Sequence, residues 1–170
     1  MSEVSTSSDE TRQWDDLARA AADHGDSSES LDEIHQLLSF EIAGAPYAVP
    51  VERVREIVRM RPVTPVPRTP EEVRGVISLR GEMIELIDLG RRLGLGSIES
   101  SRRTRIIVVK TADDEVVGLL VDAVKEVMRV SNDAIQPATG SDTGVVNELC
   151  KFRDEFVSMI ELDRVLTLDG

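Results

Sequence analysis

Residues 51–60 read VERVREIVRM, and residues 121–130 read VDAVKEVMRV. Four positions are identical: Val51/Val121, Val54/Val124, Glu56/Glu126 and Arg59/Arg129. Five more are conservative exchanges, and only Arg53/Ala123 differs in kind. Val51, Val54, Ile57 and Val58 have the spacing of one helical face, and Pro50 suits a first helical turn, so each decapeptide is expected to be a short amphipathic helix. A strand–turn–strand pattern precedes each copy, LLSFEIAGAPYAVP over 37–50 and RIIVVKTADDEVVGLL over 105–120. The body therefore reads as two similar β lobes, roughly 36–100 and 101–168, each with an amphipathic connector and with room for strand exchange between them. Short strands separated by many turns suit small barrels.

The remaining punctuation supports a mainly β chain. Leu38, Phe40 and Ile42 alternate with polar residues before a turn at Gly44, and Tyr47 and Val49 resume the alternation. RPVTPVPRTP, residues 61–70, has four prolines and is expected to run extended over the surface. Strands are expected from Val76 and over Met83–Leu89, with a turn at Arg80-Gly81. GRRLGLG should form a single helical turn stopped by Gly94 and Gly96. SIESSRR (97–103) and SNDAIQPATGSDTG (131–144) read as polar connections. A second hairpin turns at Ala112-Asp113-Asp114, and a third at Arg153-Asp154, between Phe152 and Phe156. ELDRVLTL closes the chain as a short helix burying Leu162, Val165 and Leu166.

Ten acids (Glu3, Asp9, Glu10, Asp15, Asp16, Asp23, Asp26, Glu29, Asp32, Glu33) face only Arg12 and Arg19 in residues 1–35, a charge of −8 out of −12. This segment is expected to be a flexible extension, with a frayed helix around Trp14, Leu17 and Ala18 ending near Gly25. An acidic chain is repelled by nucleic acid and by anionic membrane surfaces. Hydrophobic residues make up 41% and aromatics 3%, so the core is aliphatic. No apolar run reaches the ~18 residues of a membrane span, and a basic leader is lacking, so a cytoplasmic protein is expected. His24 and His35 both precede the body, and Cys150 lies in an apolar stretch where a small core residue is expected. No metal-ligand spacing or phosphate loop occurs, so no catalytic residue, metal or cofactor is assigned.

RGVISLRGEMIELIDLGRRLGL, residues 74–95, is similar to the signature of the CheW family, approximately G-V-x-N-L-R-G-x-x-x-P-V-x-D-L. Gly75, Val76, Leu79, Arg80, Gly81, Asp88 and Leu89 match it; Ser78 replaces the usual Asn, and Glu85, followed by Leu86, the usual Pro. VREI upstream and VVGLLVDAVKEV downstream also resemble the family, and the likeness runs from about Gln36 to Leu168.

The resemblance implies two packed SH3-like five-stranded β-barrels with short helices. It also implies a non-catalytic adaptor of bacterial chemosensory arrays. Such proteins join the cytoplasmic tip of a methyl-accepting receptor to the regulatory domain of a CheA-type histidine kinase, at the inner face of the membrane. The receptor helix lies in a groove between the barrels. On that implication the coupling residues are Val51, Val54, Glu56, Ile57, Leu79 and Arg80, with Val58 an alternative to Ile57 in the apolar stripe and Glu56–Arg80 a charge pair beside it. Gly75, Gly81 and Gly118 are expected to serve backbone geometry. Three other readings stand beside this one: a scaffold of a non-flagellar chemosensory pathway, an enzyme using an aliphatic barrel pocket, and a regulatory module whose acidic extension is drawn to Arg59, Arg61 and Arg68 and masks its own groove.

Overall fold

The computed structural model describes residues 33–139 and 144–166. The expected N-terminal helix and flexible extension lie outside them. Four expected hairpins form. β1 (Ile34–Ile42) and β2 (Ala45–Pro50) turn through Ala43 and Gly44, at φ 55° and 81°. β4 (Val73–Leu79) and β5 (Glu82–Asp88) turn through Arg80 and Gly81, at φ 52° and 84°. β10 (Val146–Phe152) and β11 (Glu155–Ile160) turn through Arg153 and Asp154, at φ 52° and 67°. Two successive left-handed residues match the twist of antiparallel strands, which is why a two-residue connection suffices. β6 (Arg105–Lys110) and β7 (Val116–Val121) form a fourth hairpin around Asp114.

The decapeptides are not helices. Residues Val51–Arg53 make one 3-10 turn, and Val54–Arg59 is strand β3; Val121 ends β7, and Ala123–Ser131 is strand β8. Along β3, exposure alternates with period two: Val54, Glu56 and Val58 are half-buried, while Arg55, Ile57 and Arg59 are exposed. Ile57 therefore faces away from Val54, contrary to the helical reading. Eight β-branched residues across the two copies favour the pleated form, and a partner strand settles it: β3 pairs with β6 and β8 with β1.

Two sheets result. The first, of six strands, has the order β8-β1-β2-β11-β10-β9, and the second, of five, β3-β6-β7-β5-β4. The sixth strand, β9 (Ile135–Pro137), lies within what reads in sequence as a polar loop. Each sheet takes one hairpin from one half of the chain and the remainder from the other. β1–β2 joins β8–β11, and β6–β7 joins β3–β5. The order of the second sheet maps onto the first strand by strand, including one parallel pair in each, β5 with β7 and β11 with β2. Register slips at Arg55 in β3 and at Lys125 in β8, equivalent positions of the repeat. Each decapeptide is thus the strand that carries the chain from one sheet to the other, with a bulge that bends it.

The larger core spans both sheets, joining Leu38, Phe40 and Ile42 of β1 to Ile107 and Leu119 of the second sheet. A smaller cluster, with Leu37, Met128, Cys150 and Val157, fills the first sheet's own interior. Since both faces of β1 are covered, Leu37 to Phe40 are all buried. Burial of each such aliphatic side chain contributes about 1.5–3 kcal/mol. Two one-turn helices, α1 (Leu89–Arg92) and α2 (Leu162–Val165), follow β5 and β11; α1 takes and buries Leu89, which the sequence reading left in the strand, and α2 buries Leu162 and Val165 as expected, with Leu166 half-buried. The 61–70 segment runs extended and mostly exposed, held by a bridge from Thr64 to Val76. In the connection after α1, Ile98 is buried, unlike its polar neighbours.

Candidate functional site

β3 and β4 are opposite edges of the second sheet. Yet Glu56 on β3 meets Arg80 at the tip of the β4–β5 hairpin, with Nε–Oε2 at 3.1 Å and Nη2–Oε1 at 2.8 Å. Two edges meet only if the sheet curls, so this two-bonded pair spans the seam of a closed barrel. Arg80 is 71% exposed and Glu56 21%. Hydrogen bonds from Arg80 hold the Glu56 carboxyl below its usual range, against the opposing effect of desolvation. The same bonds raise Arg80.

The apolar candidates divide. Val51 and Val54 are half-buried and pack on the main core from the edge, as does Val58. Ile57 is 40% exposed on the opposite face of β3, while Leu79 is 6% exposed and belongs to the core. The structure thus pairs Glu56 with Arg80, sets half-buried Val54 on the strand that carries Glu56 with Val51 in the turn before it, turns Ile57 to the other face, and buries Leu79 in the core. The 3-10 turn is pinned from the side by Arg53, which donates to the Lys110 carbonyl at 2.8 Å and pairs with Asp163 at 3.2 Å.

The glycines have geometric causes. Gly75 has φ 141° and lies against the Thr64 carbonyl, where any Cβ would collide. Gly81 supplies the second left-handed residue of the Arg80 turn. A Cβ on Gly118 would come 2.8 Å from Ile106 Cγ2.

Asp88, which sequence reading matched to the motif without a role, is wholly buried. Its Oδ2 accepts from Arg74 Nε at 2.9 Å and from the Ile98 amide at 3.0 Å, and its Oδ1 caps α1 through the Arg91 amide at 3.1 Å. Arg74 also donates to the Ile98 carbonyl. One carboxylate therefore joins β4, α1 and the following connection. Its sequence signal is an Asp that ends an apolar strand and precedes a helical turn. Among the described residues, no group of three or more His, Cys, Asp or Glu is placed to hold a metal. No helix of the described residues is long and apolar enough to cross a membrane.

The family model for the CheW-like domain matches residues 36–169. The chain is 34% identical over 134 residues to the chemotaxis protein CheW of Rhizobium meliloti, covering 76% of this chain and 86% of that protein. It is 32% identical over 151 residues to the chemotaxis protein CheW of Helicobacter pylori, covering 87% and 91%. The solved scaffolding protein TtCheW from Thermoanaerobacter tengcongensis superposes with a TM-score of 0.75 at 33% identity, covering 81% of this chain and 96% of that one. The two curled sheets with exchanged hairpins, the Arg80-Gly81 turn and the Asp88 hub are thus set within a sequence match that runs the length of the body, and the chain belongs to the CheW family.

Proposed function

We propose that this protein is a non-catalytic adaptor that couples methyl-accepting chemoreceptors to a CheA-type histidine kinase. Residues 36–168 act as one unit, in the cytoplasm, recruited to receptor arrays at the membrane's inner face. Membership of a family of chemotaxis and scaffolding proteins supports the class. The observation that carries the site is the two-bonded Glu56–Arg80 pair on the barrel seam. The guanidinium is largely exposed, and its partner Glu56 lies two residues along β3 from the half-buried Val54, which supports a charged rim beside an apolar stripe of Val51 and Val54, with Ile57 on the strand's other face. An apolar stripe with a charged rim suits one face of an amphipathic helix, the form of a receptor tip. Leu79 acts from below, holding the hairpin that presents Arg80.

The test is reconstitution. Receptor-bearing membranes and the cognate kinase are mixed with the full chain, and kinase autophosphorylation is followed. Wild type should raise the rate when receptor is present, and Arg80→Ala should blunt the rise. A wild-type chain that leaves kinase activity unchanged would remove the proposal.

A further inference from the structure

The internal symmetry offers a comparison of like positions. Where β8 pairs with β1, Arg129 stands opposite Gln36, and a cavity of about 600 Å³ beside them also holds Glu33, Glu52 and Glu148. The equivalent place on the second sheet has Arg59 opposite Arg105. There a cavity of about 370 Å³ is lined by Arg59, Arg102 and Arg105 with Met60, Ser101 and Thr104. Arg102, three residues before Arg105, corresponds in sequence offset to Glu33, three before Gln36. One cavity thus has three carboxylates around its arginine; the other has three arginines and no carboxylate. Like charges directly opposite on paired strands repel, and nothing in this lining offsets them. None of the three makes an ion pair among the described residues. Arg105 is nonetheless fixed, donating from Nη1 to the Arg102 and Thr104 carbonyls at 2.9 and 2.8 Å. In a chain of net charge −12, this is a site arranged for carboxylates.

We propose that the Arg59–Arg102–Arg105 cavity binds the chain's own acidic segment, residues 1–32. That segment carries nine carboxylates against Arg12 and Arg19, a charge of −7. It joins the body at Glu33, next to β1, whose far end is marked by Glu41 and its partner Arg103. The cavity lies toward that far end, about 25 Å along the strand. Thirty-two residues extend to roughly 100 Å, so the segment reaches it within one molecule. Ile57 stands two residues from Arg59 on the same face, so a docked segment also covers Ile57. That consequence for partner binding rests on the proposed function; the docking itself does not.

The test uses the full chain and no partner. A nitroxide on Ser7→Cys is combined with amide NMR of the ¹⁵N-labelled protein; Cys150 is wholly buried and is spared by the label. At about 20 mM salt, where screening is weak, the amides of Arg59 and residues 101–105 should lose at least half their intensity, and they should recover at about 0.5 M. Arg59→Glu/Arg102→Glu, two changes at exposed positions, should abolish the loss. Four results would each overturn the proposal. They are no loss in wild type at low salt, loss centred on another surface, loss undiminished in the double variant, and loss only between a labelled copy and a separate ¹⁵N-labelled copy.

Discussion

Arg80 has two tasks at one atom group, closing a barrel seam and facing solvent. Because Arg80 is largely exposed, its loss should alter recognition far more than folding. Arg80→Ala is expected to weaken partner binding about tenfold, the scale of an interface anchor, with the unfolding midpoint nearly unchanged. Titration calorimetry and a thermal scan on the same sample check both halves. The carboxyl of Glu56 titrates below its ordinary range because Arg80 bonds to the ionised form. A depressed folded-state pKa stabilises the fold above the unfolded value, and that contribution fades as pH falls through the folded value. A ¹³C titration should therefore place the Glu56 midpoint below the usual ~4.3, and Arg80→Ala should return it there. Asp88 serves the fold rather than recognition. It is buried, and its removal strands Arg74 and the Ile98 amide, so Asp88→Ala is expected to cost about 3 kcal/mol in urea unfolding.

At the scale of elements, Gly75 joins β4 to the proline-rich segment. Its left-handed backbone and the Thr64 carbonyl both exclude a Cβ. Gly75→Ala should lower stability by at least about 2 kcal/mol, read from the denaturation midpoint at constant m. The hairpins were legible in the sequence because their turns are marked by Gly44, Gly81 and the Asp-containing tips, and their strands by alternation. The connectors were not. Val54, Ile57 and Val58 satisfy a helical spacing, but the strand buries Val54 and Val58 and turns Ile57 outward. What separates the two periods is a partner strand dozens of residues away, β6 for β3 and β1 for β8, which no local window contains. The pairing of Glu56 with Arg80 was anticipated through the family likeness, since the two lie 24 residues apart on opposite sheet edges. Ile98 and β9 escaped notice because each interrupts a polar stretch too briefly to set a period.

The whole molecule answers the repetition in its sequence. Each decapeptide is a crossing strand with a bulge at its fifth position, and each presents a glutamate to an arginine at the tip of a distant hairpin: Glu56 to Arg80, and Glu126 to Arg153 at 3.1 Å. Exchanged hairpins make each sheet depend on both halves of the chain, and the larger core runs through both. Residues 36–100 expressed alone should therefore fail to give a cooperative unfolding transition, since β3–β5 would lack β6 and β7. The proposed adaptor role requires the intact body to hold two partners. It is tested most directly by recovery from native lysate with the full chain as bait, beside Arg80→Ala, read by mass spectrometry. Wild type is predicted to bring down both a CheA-type kinase and a methyl-accepting receptor, and Arg80→Ala less of at least one. Recovery of neither from cells that express both would contradict the account.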